Sequence, residues 1–427
     1  MVLSSRGLRV VILLLLLVGS LAQPVSATEI IDSETEAKIS QLVDSGDIPS
    51  LHLGLVSGGN VVVKTFGDQT SEDTMFLIGS IQKVFVAISI LQLYERGVIG
   101  LDDDVNDYLS FSLRHPDYPE KPITIRMLLS HRSGLVSTLA SEFCFDWSQD
   151  YCSEVAGIPL EDYLSISLSE NGSLSVHANW AFEPDTQYGY SNNGYKVLMV
   201  ILERVSGQSI SDYMQENIFG PLGMDNTGFN GTGYVDQHAT PYTRKLNNST
   251  NTPLDVWDGR YMLRSTAHDM GQLIAALCND GQYDGYQLLQ PETLELMLEN
   301  TCPNKNVWYP GGKFLSLGYG LGLEVRNHGL WGHGGSTVGF TAEMYFNPST
   351  DTGFVRLSNV NAILDYRSTE WQGINSVTND IRTRAMVEMG MLPRYDYFLI
   401  GMITISLSTL AFNLNRLYRK RKASQAQ

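Results

Sequence analysis

Apolar and polar positions change period several times along this 427-residue chain, and each change marks an element. Ser33 to Val43 carries apolar residues at helical spacing, opens on Ser33 as a cap and has Thr35 and Glu36 in its first turn, which predicts an amphipathic helix. Leu51 to Val56 and Val61 to Phe66 are β-rich runs around Ser57-Gly58-Gly59-Asn60, a hairpin signal. From Ser80 an apolar helical pattern through Val84, Ile88 and Leu91, widened by Val86, Ala87 and Leu93, runs to about Arg96 and stops at Gly97. Asp102-Asp103-Asp104 then reads as the cap of a short helix, with a cation site as the alternative. Ile123 to His131 predicts a further helix ended by Ser133-Gly134-Leu135, and residues 136–180 are weakly patterned, as a lid beside a cleft would be. Helices are predicted over Lys196 to Val205, Ser265 to Leu277 and Pro291 to Leu298. From Gly318 onward the pattern turns to strands, at Leu321 to Val325, Ala342 to Phe346 and Gly353 to Ser358, and Thr369 to Met389 returns to helical spacing.

The two ends differ from the body. Arg6 and Arg9, the apolar run Val10 to Val18 and the small-residue site Val25-Ser26-Ala27 read as a secretory signal over residues 1–27, an uncleaved anchor being the alternative. Tyr397 to Leu414 is 18 residues without a charge, enough for about 27 Å of helix, which is just a bilayer span. The basic residues Arg416, Arg419, Lys420, Arg421 and Lys422 behind it predict a cytoplasmic tail over 415–427. A final amphipathic core helix is the competing reading of 397–414. These features predict one extracytoplasmic domain, 28–393, held to the membrane by a single C-terminal helix.

With those seven terminal basic residues set aside, 22 of the 29 Lys and Arg remain against 46 Asp and Glu, a body charge of −24. An acidic body argues against a nucleic-acid partner, whose binding needs basic patches. Cys144, Cys152, Cys278 and Cys302 form no Cys-x-x-Cys and have no histidine at zinc-finger spacing, so no metal site is expected. In an oxidising compartment an even count favours disulfides, and pairing of neighbours gives Cys144–Cys152 and Cys278–Cys302, with buried free thiols as the alternative. Asn171, Asn230, Asn247 and Asn248 read as glycosylation sequons, with Asn300 counted as a fifth candidate.

The candidate chemistry begins at Ser80-Ile81-Gln82-Lys83. On a helix the two ends of this tetrapeptide share a face, so a hydroxyl and an amine become neighbours. An amine among apolar residues loses hydration and with it some basicity, and a neutral amine can take a serine proton. A helix cap and a snorkelling lysine explain the same four residues. His131, alone in a helix-terminal turn, reads as a structural residue holding the loop. Further along stand Phe182-Glu183-Pro184, Tyr190-Ser191-Asn192 and Gly332-His333-Gly334-Gly335-Ser336-Thr337-Val338-Gly339-Phe340, the last either a close approach of backbone to ligand or a plain glycine-rich turn.

Taken in order, Ser80-Ile81-Gln82-Lys83, Tyr190-Ser191-Asn192 and His333-Gly334-Gly335 resemble the signature of the serine β-lactamase and penicillin-binding protein family, in the branch of class C β-lactamases, D-Ala-D-Ala carboxypeptidases, D-amino-acid peptidases and related esterases. The likeness extends over roughly Ile31 to Gly390 and includes Leu128 to Leu135 and Pro221-Leu222-Gly223-Met224. It implies an α/β fold of the α+β type: a mainly antiparallel sheet flanked by helices, with a helical subdomain inserted between early and late strands. It implies a serine hydrolase acting on small amides, D-amino-acid peptides or esters without a cofactor. Ser80 would be the nucleophile, Lys83 and Tyr190 would share the proton transfers, and Asn192 would bond Lys83 or a substrate amide. Gly334 and Gly335 would line the site, and the N–H groups of Ser80 and Ser336 would form an oxyanion hole. His333 stands where the signature has lysine, which fits peptidases and esterases better than β-lactam resistance. A fold kept for binding, with catalysis lost, is the competing function.

Overall fold

A computed structural model of the chain describes residues 33–136, 158–169, 172, 179–229, 237–244, 251–253, 262–302, 316–337 and 339–361, and positions 378, 382, 384–386 and 389. Helix α1 (Ser33–Asp44) buries Thr35, Ile39 and Leu42, the stripe its spacing predicts. Strands β1 (Ser50–Ser57) and β2 (Asn60–Gly67) form the expected hairpin, with Ser57 opposite Asn60 across the turn. Helix α2 (Gln82–Glu95) follows a 3₁₀ turn, Gly79–Ile81, and every residue from Lys83 to Leu93 is buried. A helix buried on all sides belongs at the centre of a large core, a stronger role than its one apolar stripe predicts.

Two boundaries move for physical reasons. Helix α3 (Asn192–Ser206) starts four residues before the expected Lys196, because the Ser191 hydroxyl accepts the Gly194 N–H and caps it there. Helix α4 (Ala267–Cys278) is capped by Thr266, and the residues just before it, Leu263–Ser265, form a short strand instead. Asp102, Asp103 and Asp104 divide their work: Asp102 pairs with Arg126, Asp103 accepts from Gly100 N and Tyr108, and Asp104 caps Val105–Asp107 and pairs with Arg114. In the weakly patterned stretch the described part holds a helix, Leu160–Leu168.

The late strands are β3 (Ser316–Tyr319), β4 (Glu324–Arg326), β5 (Leu330–Thr337), β6 (Phe340–Asn347) and β7 (Thr352–Ser358). The glycine-rich stretch is thus strand β5 itself, because its backbone pairs fully with β6, from Trp331 opposite Phe346 to Thr337 opposite Phe340. The sheet order is β3-β4-β5-β6-β7-β1-β2, antiparallel throughout. The hairpin near the start of the chain therefore pairs with its late strands, and the segment between them carries helices α2, α3 and α4.

Both faces of the sheet are covered, which is why β1 is buried from Ser50 to Val56 without alternation. Leu51, Leu53 and Leu55 meet Ile39, Leu42, Tyr345, Phe354, Ala385 and Met386 on one side. On the other, Val56 and Val355 join the large core with Leu273 and Ile274 of α4. A buried ion cluster ties the first face to the C-terminal region: Glu343 of β6 accepts from Arg356 of β7 at 3.1 Å and from Arg382 at 2.5 Å.

The expected Cys278–Cys302 disulfide is absent: both are free thiols. Cys278 ends α4 with its Sγ at 3.7 Å from Thr352 O, whereas Cys302 is buried with its Sγ at 3.6 Å from Ser130 O, so separate elements fix the two sulfurs. Cys144 and Cys152 lie outside the described residues. Asn300 is not a glycan acceptor, since Cys302 rather than Ser or Thr stands two residues on and its Oδ1 accepts from Cys302 N and Tyr319 N. Asn171, Asn230, Asn247 and Asn248 lie outside the described residues, as do 1–27 and 397–427. Among the described residues no helix is long and apolar enough to cross a membrane.

Candidate active site

Ser80 sits in the tight turn feeding the buried helix α2. Gly79 precedes it at φ +53°, a left-handed conformation that suits glycine, and Ile81 closes the turn by donating to Ile78 O. One helical turn on, Lys83 Nζ donates to Ser80 Oγ at 3.2 Å. Lys83 is only 8% exposed, because α2 is enclosed on every side. The Ser-x-x-Lys spacing thus produces the hydroxyl–amine contact that it implies.

Tyr190 arrives from another element. It ends the turn-rich entry to α3, and its hydroxyl donates to Ser80 Oγ at 2.7 Å across 110 residues of sequence. Lys83 Nζ also lies 4.9 Å from the centroid of the Tyr190 ring and 5.7 Å from that of Tyr195. Asn192 is the first residue of α3, immediately behind the Ser191 cap, and is half-buried.

Strand β5 closes the third side. Successive residues of a strand face opposite ways. A side chain added at Gly335 would put its Cβ 1.9 Å from Ile78 O, and one added at Gly79 would lie 2.8 Å from Ser336 N. The β5 backbone therefore runs directly against the Ser80 turn, and glycine at 335 permits it. Gly334 faces away, with nothing within 4 Å of an added Cβ. The Ser336 hydroxyl also faces away, accepting from Asn361 Nδ2 at 2.8 Å, so Ser336 offers the site its backbone amide.

His333, on the same face as Gly335, is not on an open rim. It is buried, with Nδ1 at 2.6 Å from Gly334 O and Nε2 at 3.2 Å from the Tyr319 hydroxyl, and its ring centroid lies 6.4 Å from that of Tyr190. A carbonyl can only accept, so Nδ1 carries a proton. The position at which the signature has a cationic lysine is here a buried histidine in an aromatic cluster behind Tyr190.

That cluster is what the sequence reading missed. Tyr188, Tyr195, Tyr319 and His131 surround Tyr190 and Lys83. Burial drives the hydroxyls of Tyr195 and Tyr319 well above the ordinary tyrosine range, so both stay protonated; Tyr195 donates to Leu129 O at 2.7 Å. The crowding of tyrosines at 188–195 is a visible signal, but Tyr319 has none, since only the pairing of β3 beside β4 brings it near. Among the described residues no group of three or more His, Cys, Asp or Glu side chains could hold a metal ion.

Chemically, one serine oxygen receives a lysine and a tyrosine at once, beside a backbone amide approaching from a neighbouring strand. Such a group can lose its proton to either partner and attack a carbonyl.

The chain is similar to several known proteins. The family profile described as Beta-lactamase matches residues 35–378. Protein flp of Staphylococcus aureus strain N315 is 25% identical over 354 residues, 77% of this chain, and the chain spans 64% of that protein's length. Penicillin-binding protein 4* of Bacillus subtilis is 34% identical over 155 residues, 36% of this chain and 30% of that one. Among solved structures, the octameric penicillin-binding protein homologue from Pyrococcus abyssi matches with a TM-score of 0.63 at 23% identity, covering 83% of this chain and 78% of that one. The D-amino acid amidase from Ochrobactrum anthropi SV3 gives 0.62 at 23% identity, with 82% and 98% covered.

Proposed function

The chain belongs to the beta-lactamase family, and on that premise we propose that it is a serine hydrolase working through an acyl group on Ser80. The observation that carries the proposal is the double contact on Ser80 Oγ, from Lys83 Nζ at 3.2 Å and the Tyr190 hydroxyl at 2.7 Å. Ser80 Oγ bonds to the substrate carbonyl carbon and gives up its proton to whichever of Lys83 and Tyr190 is then deprotonated. The N–H groups of Ser80 and Ser336 hold the oxyanion, each worth roughly 2.7–4 kcal/mol if removed. The tetrahedral adduct collapses, the carbon–leaving group bond breaks, and the amine or alcohol departs with the proton held by that pair. Water then attacks the ester, losing its proton to the same base, and Ser80 is regenerated. Asn192, at the start of α3, is assigned in this proposal to bond a substrate amide.

The substrates we propose are small amides, D-amino-acid peptides or esters. The fold shared with a D-amino acid amidase solved with D-phenylalanine supports this class, and so does histidine at 333. We further propose that residues 1–27 direct export and that 397–414 anchor the domain outside the membrane, with 415–427 in the cytoplasm. The charge pattern supports this reading.

Labelling the full-length protein with a fluorescent penicillin or a fluorophosphonate tests the central claim. A covalently labelled band is expected, and none from Ser80→Ala. Equal labelling of the variant would refute the assignment of Ser80.

A further inference from the structure

We propose that His131 is a positioning residue for the Ser80 reaction: its carbonyl and its imidazole together set where the Tyr190 hydroxyl sits, and the imidazole does so only while neutral. This rests on the assignment of Tyr190 to proton transfer. His131 does not touch Ser80, so it acts through Tyr190.

The two bonds bracket Tyr190. Gly189 N–H donates to His131 O at 2.8 Å, and Ser191 N–H donates to His131 Nδ1 at 3.1 Å. The residue between them has its backbone pinned on both sides. Ser191 is pinned again through its hydroxyl, which caps α3. Next in the chain, Arg132 O accepts from Asp185 N at 2.7 Å and the guanidinium holds Asp185 Oδ1 at 2.8 Å, fixing the start of the same loop. His131 has φ +58°, which is uncommon for a residue with a side chain. That conformation turns its carbonyl and its imidazole toward one loop, and an observed strained residue of this kind points to a task.

The bonding fixes the protonation state. A backbone N–H can only donate, so Nδ1 must present a lone pair and the ring proton sits on Nε2. Protonating Nδ1 would set N–H against N–H and release Ser191. It would also put a cation in a crowded aromatic pocket, with His131 only 1% exposed. The rings of Tyr190, Tyr319, Tyr195 and Tyr188 lie 4.5, 4.9, 5.0 and 5.7 Å from the imidazole centroid. Lys83 stands on Tyr190 and Tyr195, His333 lies beyond Tyr190 and Tyr319, and Arg132 and the Cys302 thiol flank the turn.

The test follows acylation and turnover of a p-nitrophenyl ester by the full-length protein from pH 5 to 9. Asparagine at 131 can accept at the Nδ1 position, tolerates positive φ and does not titrate; alanine does neither of the first two. His131→Ala is expected to lower kcat about 100-fold at pH 8 with KM within about threefold, the size of a misplacement near 1 Å. His131→Asn is expected to recover to within about fivefold and to lack the acid-side loss of kcat that histidine confers. If alanine at 131 does not fold, the pH profile of the asparagine variant decides. An acid limb in His131→Asn identical to wild type would overturn the proposal. So would a folded His131→Ala with wild-type kcat. Turnover that survives Ser80→Ala would instead overturn the serine reading beneath it, so the two failures are distinguishable.

Discussion

Replacing Gly335 by alanine is the sharpest probe of how β5 serves the site. The added Cβ would lie 1.9 Å from Ile78 O and 2.9 Å from Ile78 C, where ordinary contact begins near 3.4 Å. Both obstructing atoms are backbone, and Ile78 is fully buried with its N–H donating to Leu263 O, so it cannot swing aside. Strand and turn must therefore part by about 1.5 Å, which draws Ser336 N away from Ser80. Overpacking of this kind costs roughly 1–3 kcal/mol of stability. The effect on rate is larger in kind. Loss of one oxyanion donor is worth about 10²–10³ in kcat, and a misplacement near 1 Å about 10². Gly335→Ala is thus expected to fold and to acylate at least about 100-fold more slowly. Gly334→Ala, whose Cβ meets nothing within 4 Å, controls for the loss of a glycine as such and should cost less than about threefold. Burst-phase acylation by a fluorescent penicillin or p-nitrophenyl ester gives the rate, and urea unfolding gives the stability. A folded Gly335→Ala with the wild-type rate, or a Gly334→Ala equally damaged, would refute the reasoning.

Two more predictions concern stability and cysteine chemistry. Burial by itself would raise the Glu343 carboxyl, but Arg356, Arg382 and Arg326 together pull it down to about 2. A carboxylate depressed in the folded state stabilises the protein above its unfolded value near 4.3, and that share is lost as pH falls toward 2. Glu343→Gln should therefore cost about 3–5 kcal/mol at pH 7 by urea unfolding and flatten the acid limb of stability between about pH 4.5 and 2; a variant as acid-sensitive as wild type would contradict this. Peptide mapping without reductant should find Cys278 and Cys302 alkylated as separate thiols after unfolding, with Cys278 slow to react in the folded protein, since burial pushes its thiol up to about 12. A Cys278–Cys302 linked peptide would count against the packing described for α4 and the 302 turn.

Local chemistry was readable from the chain. The Ser80–Lys83 contact needs only one helical turn, the 57–60 hairpin only its own turn residues, and the cap at Asp104 only the short helix that follows it. Each depends on spacing within a few residues, and spacing is what a sequence displays. The order of the motifs also carried the family and its inserted helical region, because the matching blocks recur in the same succession.

The tertiary structure decided everything that joins distant elements. It brought Tyr190 to Ser80 across 110 residues, and it made the glycine-rich stretch a paired strand rather than a turn. It turned Gly335 toward the Ser80 turn and Gly334 away from it, withdrew His333 into the tyrosines, and set His131 as a bracket around Tyr190. It also kept Cys278 and Cys302 apart. Strand register, packing against a fully buried helix and the closure of early strands on late ones fix these outcomes. They are properties of the whole core, and no window of local spacing contains them.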